Sequence, residues 1–372
     1  MKNHIKTPIF KYSHITNLIL FLYCGLFILS CSSPSLTSTT HYEIEFLKNS
    51  KEQFIFEEPI TYIPLETNQD CLIGAVYKII LTSDYIFVFT ENLLYQFDTN
   101  GKYIRRIGSE GRGPAEYGYI LDASVDEGSG KIYICDNFGQ KINIYNFSGE
   151  YLGIKTRSGF WKRFEVIDNI YVINPLNYSG SEPCMLKVLA QDDSTTCFKN
   201  NVLYKQQNLF LVNDVKNFQK INNELIFHQQ FNDTIYRFDS ENRKLSVSYY
   251  FDFGNLKLPL DLLGSSISYN NESSNYGYLY DVCESDNYVF ATIFYKGEYE
   301  KYVINKKTGK SYSIDKKQDL IWPQWSNERG VLVSCLQANN LIKHKDEILD
   351  NKLKSVVSKM KEEDNPLIVL IK

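Results

Sequence analysis

The sequence predicts an all-β chain, and within that class a six-bladed β-propeller. Three observations carry the expectation. Aromatic residues make up 15% of the chain, with Tyr and Phe far ahead of Trp. Short β-branched and aromatic runs recur between turns rich in Gly, Asn and Asp, which is how strands and their connections read. One pattern also returns six times: an apolar strand, a second strand, a polar turn often containing Gly, and a third strand.

Taken in chain order, the N-terminus comes first. Lys2, Lys6 and Lys11 precede an uncharged run, Leu18 to Leu29, and no Asp or Glu occurs before Glu43. That layout predicts an export signal over residues 1–30. The twelve-residue run is too short to stay in a bilayer as a helix, since a core of about 30 Å needs about 20 residues. It ends in Ile28-Leu29-Ser30-Cys31, which resembles a bacterial lipobox, with Cys31 as the lipidated residue. Residues 31–41 are rich in Ser and Thr and read as a flexible tether. Acyl chains on Cys31 would make lipid the chain's membrane contact. The propeller is expected over residues 42–372, opening with strands in QFIFEEPITYIPLE.

The clearest repeats are DYIFVFTENLLYQFDTNGKYIRRIG from Asp84 and GKIYICDNFGQKINIYNFSGEYLGIKT from Gly130, which align through Asn100-Gly101 and Ser148-Gly149. Weaker copies begin at Asn169, Glu224, Asn287 and Gly330. Matching positions Ile86, Ile132, Ile170, Leu225, Tyr288 and Leu332 are 38 to 63 residues apart. A four-stranded blade needs about 40 to 50, so the longer intervals carry insertions. Near the end, Leu349, Leu353, Val356 and Met360 follow a helical period, predicting one amphipathic helix from about Lys343 to Glu363. LIVLI after Pro366 reads as a strand, and the terminal strands are expected to share a blade and close the ring.

The stretch Arg106 to Tyr151 resembles the NHL-type propeller repeat, with a glycine-rich lead-in, an IYxxD strand end and a strand closing in a Gly turn. Together with the lipobox, YIPLET, GRGPAEY, NDTIYRF, YFDFG and NPLIVLIK, the chain resembles the six-bladed β-propeller lipoproteins of Gram-negative bacteria, with NHL-like or TolB-like blades. The resemblance implies a cell-envelope protein without a settled biochemical activity.

Few residues suggest chemistry. GSEGRGPAEY lacks the Lys-Ser/Thr of a phosphate loop. Its glycines read as turns, with Arg112 and Glu116 tying the loop down or contacting a ligand. Asp136 and Asn137 follow a repeat strand and are the candidate polar pair at a channel end. Their counterparts Thr90, Asn174, Gln229 and Thr292 are neutral, whereas calcium wants six to eight oxygen ligands. No cofactor is therefore predicted, with calcium the sole candidate and no metal ligand assigned. Trp322 and Trp325, in IWPQWSNERG, are the candidate ligand platform. Cys184 and Cys197 flank a hairpin and form a candidate disulfide.

After the export signal only His41, His228 and His344 remain, and neither HExxH nor GxSxG occurs. No catalytic set is assigned. The formal charge of −4 becomes more negative once the three leading lysines are gone, which argues against nucleic acid. The expected role is a monomeric binding or scaffold protein for a protein, peptide or glycan, held on the periplasmic face of the outer membrane. The alternative is a metal-dependent, lactonase-like hydrolase or lyase with an ion in the channel, as the NHL-type resemblance allows.

Overall fold

Each repeat hydrogen-bonds into one small twisted sheet. The computed structural model describes residues 40–43, 52–56, 58–159, 161, 163–177, 179–204, 216, 218–222, 224–264, 275–314 and 318–372. From the propeller axis outward, blade 1 is Val76–Leu81, Tyr85–Thr90, Leu93–Asp98 and Tyr103–Arg106. Blade 2 is Ile120–Asp126, Lys131–Asp136, Lys141–Asn146 and Tyr151–Thr156. Blade 3 is Arg163–Ile167, Ile170–Asn174, Cys184–Leu189 and Thr195–Lys199. Blade 4 is Phe218–Ile221, Glu224–His228, Thr234–Asp239 and Lys244–Asp252. Blade 5 is Gly277–Glu284, Tyr288–Tyr295, Glu298–Asn305 and Ser311–Ser313. Blade 6 combines the two ends of the chain: Trp325–Ser326, Leu332–Leu336 and Leu367–Ile371, with Ile60–Pro64 outermost.

The six copies of the repeat are the six blades, but the repeat's first strand is the second strand of each blade. That strand is buried on both faces, as in Tyr85–Thr90 and Lys131–Asp136, so it reads as an unbroken apolar run. Apolar layers between neighbouring blades make up the core. Phe87 and Phe89 of blade 1 pack with Ile120, Ala123 and Ile132 of blade 2, and Ile63, Val333 and Ile368 of blade 6 pack with Ile79, Ile86 and Val88 of blade 1. Each fully buried side chain of this size contributes about 1.5–3 kcal/mol. No blade can keep these surfaces dry alone. The Asn-Gly turn fits for a local reason. Gly101 has φ +83°, and a Cβ there would lie 2.4 Å from the Pro64 carbonyl oxygen.

The N-terminal segment runs along the outer edges of three consecutive blades. Thr40–Glu43 adds a parallel fifth strand to blade 4, with Tyr42 buried against Tyr249 and Phe251. Gln53 bridges Ser313 at the edge of blade 5, and Ile60–Pro64 pairs with Leu367–Ile371 in blade 6. Thr40 and His41, expected in the tether, are therefore already strand residues, because blade 4 offers an open edge that Tyr42 can seal.

The single C-terminal helix is a second correction. Two short helices stand there, α1 (Ala338–Lys343) and α2 (Asn351–Val357). Ile348 and Asp350 are extended, and the Asp350 carboxylate caps α2 by accepting from the Leu353 amide at 2.6 Å. Leu353 and Val357 are buried, whereas Leu349, counted in the predicted stripe, is 69% exposed. Among the described residues no helix is long and apolar enough to cross a membrane. The expected export signal and Cys31 lie outside the described residues.

Candidate functional site

The first strands of the blades line the axis, and every second side chain of such a strand faces it. Where these strands begin, they surround a cavity of about 570 Å³. Blade 1 contributes Tyr77 and Lys78, blade 2 Asp122, blade 3 Arg163, and blade 6 Gln324 and Trp325. Lys216 and Phe218 enter from blade 4, Asp319 and Leu320 from a 3₁₀ turn, and Gln337, Asn340 and Leu341 from the start of α1.

Charged groups from several blades cross the axis beneath the cavity. The Lys78 ammonium lies 2.5 Å from Glu165 and 3.4 Å from Asp122, and donates to the Ala123 carbonyl at 2.8 Å. Ser124 donates to Glu165 at 2.6 Å, while Lys220 reaches the Val125 carbonyl at 2.6 Å and stands 3.5 Å from Glu165. Burial opposes the Lys78 charge, yet the two carboxylates outweigh it and hold its pKa above the usual value. For Glu165, burial loses to the two lysines and the pKa falls; for Asp122, burial wins and the pKa rises. Beyond the network is a separate void of about 50 Å³, near Ser326, Asn327 and Glu328. The axial cavity is thus a recess with a polar floor.

At its wall, the Lys216 ammonium lies 4.6 Å from the centroid of the Trp325 ring and 3.4 Å from Asp281. Burial raises the Asp281 carboxyl pKa, with Lys216 pulling the other way. Tyr77 is 44% exposed and meets Phe89 edge-on at 5.6 Å. Gln324 is fixed by accepting from the Cys335 amide at 3.1 Å. The lining therefore offers flat rings, amides and ammonium groups, a set suited to holding a ligand by stacking and hydrogen bonds.

The residues expected from sequence separate. Trp325 lines the cavity. Trp322 is 8% exposed and packs edge-on against Phe290 at 5.5 Å, so its ring belongs to the layer between blades 5 and 6 and the two tryptophans form no shared platform. Arg112 is exposed away from the cavity lining, and Glu116 accepts from the Gly113 amide at 2.7 Å within its own loop. Asp136 is buried and accepts from the amides of Gly118, Tyr119 and Phe138 at 3.1–3.2 Å, while the Asn137 amide donates to the Tyr119 carbonyl at 2.8 Å. Both fasten connections beside the start of the first strand of blade 2, and neither is in the cavity lining. Among the described residues no three His, Cys, Asp or Glu side chains gather as a metal site. Cys184 and Cys197 are disulfide-bonded across two strands of blade 3.

Sequence reasoning missed Lys78, Asp122, Arg163, Lys216 and Tyr77. The available signal was polar residues interrupting otherwise apolar strands, as in VYKIIL and ILDASVD.

The profile of a family described as a domain of unknown function, DUF4934, matches residues 45–372. The chain belongs to the DUF4934 family. No curated protein matches it. Among solved structures, this DUF4934 chain is similar to a putative exported protein of Bacteroides fragilis, with 18% identity, a TM-score of 0.69, and coverage of 89% of this chain and 98% of that one. It is also similar to a DUF4221 family member of Bacteroides vulgatus, with 11% identity, a TM-score of 0.53, and coverage of 87% and 98%. At these identities the likeness of the DUF4934 chain to them is one of fold.

Proposed function

We propose that this DUF4934 protein is a lipid-anchored cell-envelope binding protein that captures a protein, peptide or glycan partner in the axial cavity. The observation that carries the reading is the recess itself, floored by paired charges and walled by Trp325, Tyr77, Lys216 and the amides of Gln324, Gln337 and Asn340. Asp122 in that lining is paired with the Lys78 ammonium. The lipobox ending in Cys31 and the resemblance to six-bladed envelope lipoproteins support lipid attachment, with the periplasmic face of the outer membrane as the location and a monomer as the state. The description of the B. fragilis neighbour as exported is consistent with that location.

Two measurements test the proposal. An alkyne fatty acid should label the chain in cells, and Cys31→Ala should abolish the label. On an array of envelope glycans and peptides, Trp325→Ala should weaken every specific signal of the full chain by about tenfold, the loss expected when one well-packed aromatic contact is truncated. Signals that survive Trp325→Ala together with Tyr77→Ala would remove the cavity from the function.

A further inference from the structure

We infer that the axial cavity takes an acidic saccharide, its carboxylate facing Lys216 and its ring lying against Trp325 and Tyr77. The inference rests on the reading of this cavity as a ligand site.

The argument begins with which member of each ion pair reaches the void. Lys78 is 17% exposed, while its partners Asp122 and Glu165 are 2% and 7% exposed. Lys216 is 28% exposed against 15% for Asp281. Lys216 lines the cavity and Asp281 does not, whereas Lys78 shares the lining with Asp122 and already donates to Glu165, Asp122 and the Ala123 carbonyl. Arg163 adds a guanidinium to the same lining, with one arm donating to the Leu121 carbonyl at 3.2 Å. Of the two acids in the described lining, Asp122 pairs with Lys78, and Asp319 with Lys301, which stands outside it. In a chain with a net charge of −4, the described lining of this recess thus carries three cations, Lys78, Arg163 and Lys216, against two acids, Asp122 and Asp319. An ammonium has three donors, so Lys216, which meets Asp281, can still donate to a second anion.

The remaining lining selects a ring. Trp325 and Tyr77 give flat apolar surfaces, and Gln337 and Asn340 supply amides of the kind that pair with hydroxyls. A volume of about 570 Å³ suits a small ligand or the end of a chain.

The test is calorimetric titration of the full chain in detergent with a galacturonic acid disaccharide and with its neutral galactose counterpart. The acidic sugar should bind, more weakly as salt rises, and the neutral one at least about tenfold more weakly. Lys216→Met should weaken the acidic sugar about tenfold more than the neutral one, whereas Trp325→Ala should weaken both alike. Thermal melts of each variant report folding, and Arg163→Met replaces Lys216→Met should the latter melt early. Equal binding of the two sugars, both sensitive to Trp325→Ala, overturns the charge argument while the cavity reading stands. Binding of an acidic peptide in place of either sugar overturns the saccharide assignment, and failure of every probe to bind overturns the inference outright. Only the array result with the cavity variants decides the broader reading.

Discussion

His228 shows how burial alone changes the behaviour of a titrating group. It ends the second strand of blade 4, is 3% exposed, and one ring nitrogen donates to the Asn232 carbonyl at 2.9 Å. Burial lowers its pKa to about 4, the carbonyl contact working the other way. In the unfolded chain the ring titrates near the ordinary value of about 6.5. Between these values the unfolded state takes up a proton that the folded state refuses, so stability falls as pH drops through about 6.5 and levels off near 4. The whole effect is about 3 kcal/mol. Urea midpoints should decline across that window, and His228→Gln should flatten the decline; equal slopes would show that other groups set the acid response. The axial charges follow a different logic. Desolvating Lys78, Asp122 and Glu165 is costly, and their mutual contacts offset the cost. Their chemistry could not be read from sequence, because a lysine in a strand looks the same whether it faces water or an axis.

Within single elements, legibility depended on how many faces are covered. YIFVFT and KIYICD lie between two neighbouring blades and stand out as apolar runs, whereas RFEVI and ILDASVD place polar residues on the axis and lose that signature. The C-terminal helix failed for a related reason. The period through Leu349 and Leu353 is helical, but the Asp350 cap restarts the helix there and turns Leu349 outward. The disulfide hairpin of blade 3 gives a prediction at this scale. A non-reducing peptide map should join Cys184 to Cys197 and leave Cys71, Cys135, Cys283 and Cys335 as thiols. Reduction should cost about 3 kcal/mol, as expected for a short closed loop. It should leave the fold intact, because Thr195–Lys199 is an exposed outer strand. A reduced protein that unfolds completely, or a map with other pairs, would contradict this.

The molecule as a whole is held by pairing between strands from its two ends. Leu367–Ile371 lies between Leu332–Leu336 and Ile60–Pro64, and all five of its residues are buried. Removing residues 367–372 should therefore leave blade 6 without its middle and expose the layers toward blades 5 and 1. The truncated chain should lose its cooperative melt by circular dichroism; a melt like that of the intact chain would mean that blade 6 does not close the structure. The sequence by itself determined the class of fold, the number of blades and the turns between strands. Those depend on local alternation, on unbroken apolar runs and on glycines that few other residues can replace, all of which recur in order along the chain. Only the tertiary structure decided which side chains meet at the axis. Lys78, Asp122, Arg163, Lys216 and Trp325 are scattered over some 250 residues and share one recess because the blades are arranged radially.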